Sequence, residues 1–89
     1  MRVISRRPIR AFVKIHPDAA EPLEHWWRVV LKAAWSNLIE VRNDFRHADA
    51  VGKYTVFNIA GNKYRLIATI KYRCRVLYIR DYDQGAWKQ

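Results

Sequence analysis

The hydrophobic period of this chain changes once, near Lys53, and that change limits the folds open to it. Upstream, Leu23, Trp26, Trp27, Val30, Leu31 and Ala34 recur every three or four residues, the spacing of one apolar helix face, up to Trp35. Downstream the pattern alternates. Residues 54–59, 63–70 and 74–80 read as strands, separated by Ala60-Gly61-Asn62 and Lys71-Tyr72-Arg73. Strands joined by connections this short pair as an antiparallel meander. On the second strand Tyr64, Leu66, Ala68 and Ile70 share one face, and Lys63, Arg65, Ile67, Thr69 and Lys71 share the other. On the third, Leu77 and Ile79 oppose Val76, Tyr78 and Arg80. Trp26, Trp27 and Val30 need an apolar partner surface, so the helices are expected to cover the Leu66 side and leave the Arg65 side open.

The remaining segments fit an α+β fold with an N-terminal strand and two to three helices on one face of the C-terminal meander. Residues 2–5 read as a short strand. Pro8 suits the first turn of a helix carrying Ile9, Phe12 and Val13, and His16-Pro17 closes it. Asp18 and Glu21 have the D-x-x-E spacing of a capped start for the Trp-rich helix, with Pro22 tolerated in its first turn if the helix begins at Ala19 or Ala20. Residues 38–45 form either a third short helix or an irregular connection, and residues 45–52 read as loop. With 89 residues, residues 1–89 form one domain around one core. No apolar run reaches the roughly 20 residues that cross a bilayer, and no signal-peptide pattern follows the basic start, so a cytoplasmic protein is expected. A lone cysteine, Cys74, agrees with a reducing compartment and is read as a small buried hydrophobe opening the third strand.

Charge narrows the function. The formal net charge is +9, and it is segregated: residues 50–80 carry seven Lys or Arg and no acid, whereas residues 18–49 carry six acids against four bases. A polyanionic partner follows from that asymmetry, and because the cations fall in strand segments rather than on one amphipathic helix, nucleic acid fits better than a membrane surface. The open sheet face would present Arg65, Tyr78 and Arg80, with Lys63 at its rim. Cations interleaved with aromatics on a sheet hold single-stranded RNA through phosphate pairing and base stacking. Other polar residues carry less. His16, His25 and His47 lack partners at a metal-ligand spacing, so no metal is expected. Glu21 and Glu24 lie a turn apart on a solvated helix, and Asn58, Gly61 and Asn62 serve turn geometry.

Three blocks then resemble a known family: Arg2-Val3-Ile4-Ser5-Arg6; Val56-Phe57-Asn58-Ile59 with Gly61-Asn62-Lys63-Tyr64-Arg65-Leu66; and Val76-Leu77-Tyr78-Ile79-Arg80. Together they resemble the HigB-type toxins of the RelE/ParE superfamily across nearly the whole chain. The resemblance implies a RelE-like fold and the toxin half of a type II toxin–antitoxin pair, an endonuclease that cleaves messenger RNA on translating ribosomes without a metal or other cofactor. It also implies neutralisation by a helix-turn-helix (HigA-like) antitoxin, expected to cover the same basic sheet.

By the same resemblance Arg65 would hold the scissile phosphate, Arg80 or Lys63 would add a second positive charge, and Tyr82 would stack on a base or pass a proton. Lys53, Lys71, Arg73 and Tyr78, with Lys63, complete the expected RNA-binding set. One departure stands out. Family members usually carry Thr-His-x-x-Tyr-Asp after the last strand, whereas here Arg80 runs into Asp81-Tyr82-Asp83 and the sequence contains no Thr-His. About six residues are missing, including the histidine expected to move a proton. A chain shortened at this loop with its scaffold intact fits detoxification better than natural truncation, and implies weak or absent cleavage. Two other functions share these features: a basic sheet that sits on ribosomal RNA without cutting, and a ParE-like inhibitor of a DNA topoisomerase.

Overall fold

The computed structural model describes residues 1–5, 9–61 and 63–83, so the expectations for Arg6, Pro8, Asn62 and the 84–89 tail lie outside the described residues. The elements run β1 (Arg2–Ser5), α1 (Ile9–Ile15), a 3-10 turn (Pro17–Ala19), α2 (Ala20–Lys32), α3 (Leu38–Asp44), β2 (Asp49–Val51), β3 (Tyr54–Ile59), β4 (Tyr64–Lys71) and β5 (Val76–Asp83). The strands form one sheet in the order β1-β5-β4-β3-β2. Only β1 pairs parallel, against β5; the other neighbours are antiparallel. The architecture is thus the expected α+β one, with the N-terminal strand added beside the last strand of the meander.

Several local expectations need correction, among them a buried Cys74 opening the last strand: Cys74 is exposed in the turn before β5, which begins at Val76. The Asp18/Glu21 cap does not form: the N-cap of α2 is Ala19, without a side-chain bond, because Asp18 is engaged elsewhere. Pro17 opens the 3-10 turn, and Pro22 falls in the first turn of α2, where its missing N–H breaks no intrahelical bond. The helix stops at Lys32, three residues before Trp35, where Ala33 turns extended with ψ 152°. Trp35 is freed to fold back into the core and donates its indole N–H to Asp44 at 2.8 Å. α3 is a true helix: the Asn37 side chain accepts from Glu40 N–H at 3.1 Å, and the Glu40 carboxylate accepts from Ser36 N–H at 2.7 Å. Residues 49–51, expected as loop, form β2 through a two-residue connection to β3 led by Gly52 at φ 61°, a value that suits glycine.

The core lies between the helices and one sheet face. Leu23, Trp26 and Val30 of α2 and Val41 of α3 pack with Phe57 and Ile59 of β3, Tyr64, Leu66 and Ala68 of β4, and Leu77 and Ile79 of β5. Tyr64, Leu66, Ala68, Leu77 and Ile79 belong to the alternating set read from the sequence, and Ile70 of that set packs against the cluster partly buried. Val56 and Ile67 are also buried but stand outside this cluster, paired with each other on the opposite face.

Candidate nucleic-acid interface

Register places side chains on the face away from the helices in transverse rows. Arg2 neighbours Val76, which neighbours Lys71; Ile4 neighbours Tyr78, which neighbours Thr69; Ile67 neighbours Val56; and Arg65 neighbours Asn58. Arg65 and Arg80 therefore share this face. They are held differently. Arg65 donates to the Asn58 amide oxygen at 2.6 Å, whereas Arg80 donates to the Thr69 hydroxyl at 3.2 Å and sits 5.3 Å from the Tyr78 ring centre. Arg65 and Thr69 are four residues apart on β4, about 13 Å at the rise of a strand. So oriented, the two guanidiniums suit different phosphates of one strand, not the single phosphate expected from the sequence.

A β-bulge shapes the end of this face. Ala68 pairs with Ile79 but Ile67 pairs with Asp81, leaving Arg80 as the extra residue on β5. An extra residue reverses the alternation beyond it. Asp81 consequently stands opposite outward-facing Ile67, and Tyr82 stands opposite core-facing Leu66. Tyr82, which the family resemblance casts as stacking on a base or passing a proton, thus points away from the face that carries Arg65. Its ring stacks on Phe12 of α1 with centroids 4.8 Å apart, and burial raises its phenol above the ordinary value, an effect the Ser5 side chain opposes. In this position Tyr82 is a packing residue of the helix side.

Lys63 is also displaced from the expected interface. It lies in the β3–β4 turn and pairs with Asp18, which additionally accepts from the Tyr64 hydroxyl at 2.5 Å. The Lys63 ammonium, and then the Tyr64 hydroxyl, hold the Asp18 carboxyl below its ordinary 3.8, and the Asp18 bond raises Lys63 and Tyr64 above their ordinary 10.5 and 10.0. A depressed carboxyl stabilises the fold above its unfolded value and ceases to do so as pH falls through its folded value; the raised Lys63 and Tyr64 lose their contribution as pH climbs through theirs. In urea titrations, Asp18→Asn is therefore expected to lower the unfolding midpoint more at pH 7 than at pH 2. A gap of equal size at both pH values would refute this linkage.

The other expected residues divide by position. Lys53, in the β2–β3 turn, stands 5.5 Å from the Tyr54 ring centre. Lys71 and Arg80 reach the same region, and Lys53, Tyr54, Ile67, Thr69, Lys71, Arg80 and Asp81 line a depression of about 600 Å³. Tyr78 borders it through Thr69 and Arg80. Arg73 is exposed in the β4–β5 turn, toward the Lys71 end of the face and away from Arg65. Tyr54 and Asp81 were missed by the sequence reading. Tyr54 could have been found, since alternation from Val56 places it outward; Asp81 could not, because its orientation depends on the bulge.

His16 packs with Phe12 and Tyr64 on the helix side, while His25 is exposed on α2 and His47 in the turn after α3. No described histidine stands on the open face. Among the described residues, no group of three His, Cys, Asp or Glu is placed to hold a metal ion, and no helix is long and apolar enough to cross a membrane. Compared with known proteins, residues 19–83 match a family described as the RelE-like toxic component of a toxin–antitoxin system, HigB toxin. No curated protein matches the chain.

Proposed function

Because the chain belongs to the HigB family of RelE-like toxins of toxin–antitoxin systems, which implies an antitoxin partner, we propose that it engages messenger RNA on the ribosome through the open sheet face. The observation that carries this reading is the set of Arg2, Arg65, Lys71 and Arg80 on a face that none of the described helices covers, with Lys53 beside it and Tyr54 and Tyr78 interleaved. Guanidinium and ammonium groups hold phosphates, and tyrosine rings receive bases. The reaction is ribosome-dependent endonucleolytic cleavage in a cytoplasmic setting. Attack of a ribose 2′-OH on the adjacent phosphorus breaks the P–O5′ bond, with one proton removed from the hydroxyl and one delivered to the leaving oxygen.

Arg65 supplies positive charge for that step and Arg80 holds a neighbouring phosphate, but the proton carriers are deficient: Thr-His is absent from the sequence and Tyr82 is turned to the helices. Weak cleavage with RNA holding retained is the consequence for this chain. The antitoxin is a helix-turn-helix (HigA-like) protein presenting acid to the same face. A non-cleaving RNA-binding role is the second reading, favoured by the missing histidine.

The test is to incubate the purified chain with translating ribosomes and map messenger RNA 5′ ends, alongside RNA binding at rising salt. Binding should weaken steeply with salt as released counterions regain their advantage, and Arg65→Ala with Arg80→Ala should flatten that slope by about two phosphate contacts. Salt-insensitive association, or none, would remove the basis of the reading.

A further inference from the structure

The depression beside the β5 bulge contains one carboxylate among three cations, an arrangement ill-suited to a phosphate at its centre. Asp81 Oδ1 accepts the Tyr82 N–H at 2.8 Å, which fixes the plane of the carboxylate. Among the described residues neither Lys53, Lys71 nor Arg80 forms an ion pair with it. Two of the cations lie against rings instead: Lys53 by Tyr54, and Arg80 by Tyr78 with a bond to Thr69. An exposed acceptor held in one plane, over a floor of Ile67 and Thr69 and beside a tyrosine, has the chemistry of a nucleobase seat.

Resting on the reading that this face binds RNA, we infer that the depression is a base-reading subsite selective for guanine, with Asp81 as its specificity-determining residue. Two adjacent N–H donors, N1 and N2, line the Watson–Crick edge of guanine and match two carboxylate oxygens. Adenine and cytosine place a ring acceptor next to their amino donor, and uracil flanks its single donor with two carbonyls; each sets a lone pair against the carboxylate. Tyr54 supplies the stacking face, and Lys53, Lys71 and Arg80 take the phosphates on either side. Phosphates keep to the rim because the carboxylate repels them from the centre. The bulge is what makes the subsite: a regular β5 would have turned Asp81 toward the helices.

The experiment uses the full chain and short 2′-O-methyl oligoribonucleotides, which cannot be cut by 2′-OH attack, in fluorescence anisotropy titrations. An oligouridine carrying one guanine should bind about tenfold more tightly than the same oligomer carrying adenine, with inosine, which lacks N2, between them. Asp81→Asn keeps the bond to Tyr82 N–H and offers one donor and one acceptor, so the guanine preference should fall to about twofold or invert toward adenine. Tyr54→Ala should weaken the guanine oligomer roughly tenfold and leave an abasic oligomer unchanged. Equal binding of guanine and adenine oligomers by the parent chain, or a preference that survives Asp81→Asn, overturns the subsite while leaving RNA binding by the face intact. Failure to bind any oligomer overturns both.

Discussion

Restoring a Thr-His-containing segment of about six residues between Asp81 and Tyr82 should raise messenger RNA cleavage on translating ribosomes by about 10² to 10⁴-fold, the usual worth of a positioned proton carrier. In the proposed reaction Arg65 on β4 supplies charge at the scissile phosphate while Arg80 at the bulge holds a neighbouring one. What the open face lacks is a group able to give or take a proton near neutral pH, and histidine is the side chain whose ordinary pKa meets that need. The insertion does more than add an imidazole. It separates Tyr82 from the bulge, so that the ring is no longer obliged to stand opposite Leu66 and stack on Phe12. A restored chain carrying alanine in place of the inserted histidine separates the two effects. It should regain the loop geometry but not the rate. The measurement is primer-extension mapping of new 5′ ends, with growth arrest on induction as the cellular readout. If the restored chain folds, binds RNA and still leaves messages intact, the nuclease reading is wrong and RNA holding without cleavage replaces it.

The orientations of Asp81 and Tyr82, which no sequence pattern gives, show where sequence reasoning stops. Alternation located β3 to the residue and put Arg65, Lys71, Tyr78 and Arg80 on one face, because parity along a strand is dictated by the pleat alone. Parity fails wherever the ladder takes an extra residue, and nothing in Ile79-Arg80-Asp81-Tyr82 announces one. The strand β2 was missed for another reason. Asp49-Ala50-Val51 is short and wholly exposed, so it carries no buried face to pattern; its one signal is Gly52 opening a two-residue connection. Lys63 illustrates a third limit, since its partner Asp18 is 45 residues away and the two meet only once α2 lies on the sheet. The end of α2 at Lys32 belongs with it: Trp35 keeps helical spacing in the sequence, but its indole is better satisfied against Asp44 and Phe57 than on the helix. Local chemistry was legible, and contacts that depend on the finished fold were not.

Phe57 is where the fold is most exposed to a single substitution, and Phe57→Ala should lower stability by about 3 to 5 kcal/mol. Its ring is fully buried on β3 and meets three aromatic partners from three segments: Trp26 of α2 at 5.4 Å, Phe45 after α3 at 5.3 Å and Trp35 between those helices at 6.3 Å. Removing it leaves a void that none of these can fill without giving up another contact. Trp26 is held against Leu23 and Val30 in the same cluster, and Trp35 is tied to Asp44. A chain of 89 residues has a net stability of roughly 4 to 13 kcal/mol at ordinary values per residue, so the loss takes about a quarter of it at best and all of it at worst. Phe57→Leu, which retains most of the volume, should cost less than half as much, about 1 to 1.5 kcal/mol. Urea unfolding followed by tryptophan fluorescence reads both, because Trp26 and Trp35 flank the site. Equal midpoints for Phe57→Ala and the parent would mean that the aromatic cluster does not carry the helices on the sheet. The effect should reach function through the same contact: the open face keeps its register only while β3 is pinned from behind, so Phe57→Ala should weaken RNA binding although Phe57 faces away from the RNA.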